Sequence, residues 1–245
     1  MQALGRVLGS LCVLTASKGK DENNIKGAML ASWVSQASFS PPGLSIAVAK
    51  DRSVESLLQI GDSFALNILG EKDFKEPLKR FTKPFSPGED RFEGMNFELT
   101  PNDQVIIPES LAWLDASVKE RMECGDHWVL YAEVLHGNVL KSDTGMITSK
   151  TDPKLQALGR VIGSLCVLTA SKGKDENNIK GAMLASWVSQ ASFSPPGLSI
   201  AVAKDRSVES LLQVGDSFAL NILSEKDFKE PVSYTHLTLP TIYSV

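Results

Sequence analysis

The chain has little of what several protein classes require. Its 245 residues include three cysteines, Cys12, Cys124 and Cys166, and no C-x-x-C pair. That argues against a disulfide scaffold and for small buried thiols in an intracellular protein. No apolar run reaches the ~18 residues of a membrane-spanning helix. No long basic stretch occurs, and the formal net charge is −4, so a nucleic acid is excluded as a partner. The opening "MQALGRVLGSLCVLTASKGK" is too polar and Gly-rich for a secretory signal. What is there suits a soluble globular protein, with 42% hydrophobic and 22% charged residues.

Catalytic signatures are also sparse. No G-x-S-x-G occurs and no cysteine sits in a nucleophile motif, which argues against a hydrolase. The stretch "CGDH" (124–127) gathers Cys, Asp and His, but no second cluster follows, so a tight turn is the better reading than a metal site.

Residues 2–77 recur as 156–231 at an offset of 154, with three differences: Leu8/Ile162, Ile60/Val214 and Gly70/Ser224. Solenoid units diverge and recur at shorter periods, so this is a duplication or a joining of sequence. The expected organisation is one complete unit at 1–150, a linker at 151–155, a truncated copy at 156–231 and an unrelated tail at 232–245.

A short apolar run at 9–17, imperfect alternation at 28–39 and apolar runs at 44–50 and 63–69 predict strands, then a hairpin of 109–125 and 126–140 turning at "ECGD". Short helices are expected at 53–61, capped by Ser53 and ended by Gly61, and at 71–81, disturbed by Pro77. The double proline in "SPPG" must break the second strand from the third. Many short strands with little helix predict a mainly β fold, an antiparallel barrel or sandwich.

Two stretches invite a ligand. "KDRS" (50–53) carries Lys50, Arg52 and Ser53 from a strand into a helix start, where free N–H groups attract an anion. A solvated, capped loop is the plain alternative. "MLASW" (29–33) places Ala31 and Ser32 between Leu30 and Trp33, so that a planar ring can approach the backbone under apolar cover. Ordinary strand packing is the plain alternative there. One hairpin would present both features side by side, as a flavin mononucleotide requires.

At this point a resemblance enters. "GAMLASWVSQASFSPPGLSIAVAKDRS", "GDSFALNILGEKDF", "RFEGMNF" and "CGDHWVLYAEV", in that order, resemble the flavin reductase-like domain. More narrowly they resemble the C-terminal module of the flavodiiron, or diflavin, flavoproteins of oxygenic phototrophs. The likeness covers about 3–150 and 156–231. It implies a six-stranded antiparallel FMN-binding split barrel with short helices, a homodimer, and hydride transfer from NAD(P)H to FMN, with FAD possible. By resemblance, Leu30, Ala31, Ser32 and Trp33 line the flavin ring. Val48, Ala49, Lys50, Arg52 and Ser53 reach its ribityl and phosphate groups. His127 matches a position near the nicotinamide, and Phe81 and Arg91 lie near the cofactor. Similar reductases often carry Thr where this chain has Leu30. The H-x-H-x-D motif of the di-iron domain is absent, so oxygen reduction is not assigned to this chain. The implied compartment is the cytoplasm or plastid stroma of a phototroph.

Residues 156–231 lack the last hairpin and cannot close a barrel. Residues 78–150 are expected to complete the first copy, whose junction is intact. Two other functions remain open: a non-catalytic flavin- or haem-binding split-barrel protein, and a misassembled fragment that binds nothing.

Overall fold

The computed structural model describes residues 6–19, 25–72, 74–82, 90–141, 152–173 and 178–224. The expected tail at 232–245 lies outside the described residues.

The first copy contributes β1 (Cys12–Lys18), β2 (Ile25–Ala31), β3 (Val34–Phe39), β4 (Pro42–Ala49) and β5 (Ser63–Ile68). Helix α1 (Lys75–Phe81), the short β6 (Glu98–Leu99) and β7 (Val105–Ile106), and the long β8 (Ala112–Cys124) and β9 (His127–Val139) follow. Seven strands form one sheet in the order β2-β1-β5-β8-β9-β4-β3, and every pairing is antiparallel. Two residues separate β2 from β3, so the two ends of that order meet at one corner. The sheet wraps around a core of Leu14, Leu44, Ile46, Phe64, Leu66, Leu114 and Leu130, among others.

The mainly β, antiparallel architecture is as expected, but the principal sheet has seven strands where six were predicted. The extra strand comes from the predicted strand 28–39, which is two strands. β2 pairs with β1 and β3 pairs with β4, so the chain changes partners at Ser32–Trp33. The imperfect alternation of 28–39 gives no sign of the break. Gly9 marks it, because a Cβ there would lie 2.6 Å from the Ser32 carbonyl oxygen.

The helices also differ from expectation. Ser53–Leu57 is a single 3-10 turn whose cap residue is Arg52, with no side-chain cap bond. Val54, Leu57 and Leu58 are buried, so the segment is a short plug on the core rather than a helix reaching Gly61. Pro77 lies in the first turn of α1, where its missing N–H costs no helical bond.

Residues 153–155, read from the sequence as linker, open helix α2 (Pro153–Leu158). Asp152 accepts a bond from the Lys154 N–H at 3.0 Å, and proline stands at the helix start. The second copy then forms β10 (Cys166–Lys172), β11 (Ile179–Ala185), β12 (Val188–Phe193), β13 (Pro196–Ile200) and β14 (Phe218–Ile222). Its register repeats the first copy, Cys166 facing Ala185 as Cys12 faces Ala31. Without counterparts of β8 and β9 these strands stay as a three-stranded sheet and a separate hairpin. The hairpin β8–β9 is paired with β5 and β4 of the first copy.

Candidate functional site

The candidate site begins where β4 ends beside the start of β9. Ala49 faces His127 in register, and the Lys50 N–H donates to the Asp126 carbonyl at 3.1 Å. The Ala47 N–H donates to the Trp33 carbonyl at 3.0 Å, which ties the break between β2 and β3 to the same strand. The Trp33 and His127 rings lie 4.7 Å apart, and His127 is buried. Its Nδ1 is 2.7 Å from the Asp126 carboxylate.

That carboxylate accepts more bonds still. Hydrogen bonding from His127 holds the Asp126 carboxyl far below the usual carboxylate range. Desolvation opposes this, and the Ser192 hydroxyl and the Phe193 and Ser194 N–H groups each add a smaller lowering. An ionised Asp126 can only accept, so Nδ1 carries a proton and the ring orientation is fixed. Asp126 was not singled out from the sequence, although "GDH" places it beside His127.

The basic stretch lies next to this pair. The Lys50 ammonium pairs with Glu123 and sits 5.2 Å from the Trp128 ring centroid. Lys50 in turn holds the Glu123 carboxyl below its ordinary value. The Arg121 guanidinium also lies over the Trp128 ring, 4.6 Å from its centroid, and pairs with Glu55. Arg52 and Ser53 are exposed, and the Arg52 Nε is 4.0 Å from Asp51. Sequence reasoning missed Arg121, Glu123 and Trp128, because only the β8–β9 register brings them to Lys50.

The remaining predicted residues divide. Ala31 and Val48 turn their side chains into the main core, so only their backbones can meet a ligand. Leu30 faces the opposite way, into a second cluster with Phe81 and Phe92. Arg91 belongs with these, donating to the Ala28 carbonyl at 2.9 Å and the Phe81 carbonyl at 3.5 Å. Trp33, Ala49, Lys50 and His127 thus form one group, and Leu30, Phe81 and Arg91 another. Exposed Ser32 lies on the chain between them.

The donor set fits a planar ligand with an anionic tail. Ser32 is exposed at a strand break, Lys50 and Arg52 supply cations, and Ser53 supplies a hydroxyl. Among the described residues, no group of three His, Cys, Asp or Glu side chains is placed to hold a metal. Nor, among them, is any helix long and apolar enough to cross a membrane.

A cleft of about 530 Å³ lies elsewhere, in the second copy, lined by Thr169–Ser171, Lys180–Ala182 and Ser217–Ala219. At the matching place in the first copy, Thr15 Oγ1 donates to the Val105 carbonyl at 2.6 Å and Gln104 bonds Ser17. The cleft is therefore the seat of a segment the second copy lacks, and not a ligand site.

A curled antiparallel sheet whose strand break, basic turn and buried histidine converge where β4 ends beside the start of β9 defines a small β module. The flavin reductase like domain model matches residues 4–152 and again 158–236, and the chain belongs to that family. Diflavin flavoprotein A 1 of Synechocystis sp. is 51% identical over 142 residues, 58% of this chain and 24% of that protein. Putative diflavin flavoprotein A 3 of the same organism is 55% identical over 140 residues, covering 57% and 23%. The chain thus spans about a quarter of the length of these relatives. Among solved structures, a flavin reductase domain protein from Arthrobacter sp. FB24 aligns with a TM-score of 0.49 at 23% identity, covering 58% of this chain and 84% of that one. An NADH:FAD oxidoreductase of Streptomyces globisporus aligns with a TM-score of 0.47 at 23% identity, covering 54% and 75%.

Proposed function

We propose that the first copy is a flavin reductase module that binds FMN and takes electrons from NAD(P)H. The observation that carries this reading is the convergence of the Ser32–Trp33 break, the Lys50–Ser53 turn and His127 where β4 ends beside the start of β9. The flavin, when bound, supplies the hydride-accepting chemistry, and the protein supplies position and surroundings.

In this reading the backbone at Ala31–Ser32 holds the ring's polar edge, while Lys50, Arg52 and Ser53 hold the phosphate. Lys50 must exchange Glu123 for that phosphate, which brings a dianion against a cation already oriented by Trp128. Asp126 fixes the His127 ring, and Trp33 covers one side of it against water. The oriented His127 ring then stands where a nicotinamide would approach. The module corresponds to a reductase portion of longer diflavin flavoproteins.

The test is to load the whole chain with FMN and add NADH or NADPH without oxygen. The proposed reductase bleaches the visible flavin band. A bound flavin that stays yellow would instead mark a non-catalytic binder. A chain that retains no flavin would mark a product that binds nothing.

A further inference from the structure

The two copies touch each other through reciprocal contacts. The Gln36 side chain donates to the Val161 carbonyl at 3.0 Å, and Gln190 donates to the Val7 carbonyl at 3.2 Å. The Ser10 N–H donates to the Ile162 carbonyl and the Ser164 N–H to the Leu8 carbonyl, both at 3.1 Å. The Leu8 N–H donates to the Ser164 hydroxyl at 2.8 Å, and the Ile162 N–H to the Ser10 hydroxyl at 2.9 Å. Trp33 packs on Phe193 at 4.5 Å between centroids, and Trp187 packs on Phe39 at 4.6 Å. Within every one of these pairs of contacts, the offset of 154 turns one contact into the other. Gly9 bridges Gly163, its own counterpart, so a local two-fold axis passes there.

The ends of the copies are also exchanged. Ala157, Leu158 and Val161 of the second copy are buried in the core of the first. Val7 of the first copy is buried in the core of the second. An interface in which the same patch meets itself, with an identical element traded across it, is the form of a two-fold pair of like subunits.

We infer that this face of the first copy is a self-recognition surface, and that the second copy occupies it in place of another subunit. The occupant is residues 152–224 of the same chain. The arrangement is asymmetric where it matters for the site. The Ser192 hydroxyl and Phe193 N–H donate to Asp126 at 2.8 and 3.0 Å, and the second copy has no such aspartate to receive the reciprocal bonds. Gly125 allows this fit, since a Cβ there would lie 2.2 Å from the Ser194 carbonyl oxygen. The chain is therefore monomeric, with one completed face. The inference rests on contacts alone and does not require that flavin binds.

Light scattering on the whole chain, without flavin, is expected to give a mass near 26.5 kDa. Trp187→Asp, which places a carboxylate against Phe39, is expected to release the second copy and double that mass as first copies pair with each other. A second measurement does not depend on the variant's folding. With a protease site inserted between the copies of the native chain, the two fragments produced by cleavage are expected to remain bound in native mass spectrometry. A dimeric native chain overturns the inference, as do fragments that separate on cleavage. A soluble Trp187→Asp protein that stays monomeric overturns it as well.

Discussion

At the scale of residues, the site is a set of charges already spoken for. Lys50 is held by Glu123, a pair exposed enough that solvent screens most of its strength. Removing the competitor is expected to help a phosphate. Glu123→Gln should tighten FMN binding about threefold, within the ~1 kcal/mol of an exposed ion pair. Lys50→Ala should weaken it about tenfold, or ~1.4 kcal/mol. Both are read by fluorescence titration with FMN. Asp126 gives a prediction in pH. Its carboxyl is pulled below the ordinary value, so its ionisation stabilises the fold above the unfolded-state pKa of about 3.9, and that stabilisation is lost as pH falls toward the lower folded value. Melting curves of the native chain and Asp126→Asn should differ by a constant amount from neutral pH to about pH 4 and converge below it. A gap unchanged at lower pH would assign the stabilisation to packing.

At the scale of elements, the chain contains its own control. β5 and β14 share the sequence FALNI, yet Phe64 is fully buried while Phe218 is 44% exposed. Asn67 is buried and bonds the Val105 carbonyl, while Asn221 is exposed. What differs is the β8–β9 hairpin and the segment before it, which cover one strand and not the other. Phe64→Ala is expected to cost about 4 kcal/mol in denaturant unfolding, a large-to-small core change. Phe218→Ala should cost about 1 kcal/mol, in line with the smaller area it buries. Equal costs would show that both strands are equally covered in solution.

The same comparison explains what could be read in advance. The strands around Leu14, Ile46 and Leu66 were legible as short apolar or alternating runs bounded by turn residues. The hairpin at "ECGD" was legible because a glycine there permits the tight reversal, at φ 53°. The break at Ser32–Trp33 was not, since it is a change of pairing partner and leaves the residue pattern intact. The 3-10 turn at Ser53 hid for a similar reason: burial of Val54 and Leu57, rather than a cap, sets its length. Of the site, Lys50 and His127 were legible as residue types. Glu123 and Phe193 were not, because register and the second copy supply them, whereas Asp126 stood beside His127 in "GDH" and was passed over.

At the scale of the whole molecule, one copy is finished and the other is not. The finished copy has its site residues backed by β9, and the second repeats Ser32, Lys50 and Arg52 as Ser186, Lys204 and Arg206 without that backing. Hydrogen exchange should therefore report lower opening free energies across β11 and β14 than across β2 and β5. Equal protection of the two sets would contradict the asymmetry.

The most direct measurement is FMN titration of the whole chain beside two variants that differ only in which copy they touch, Lys50→Ala and Lys204→Ala. One FMN per chain is predicted, bound about tenfold more weakly by Lys50→Ala and unchanged by Lys204→Ala. Two FMN per chain, or an equal loss in both variants, would contradict a single site completed by the β8–β9 hairpin.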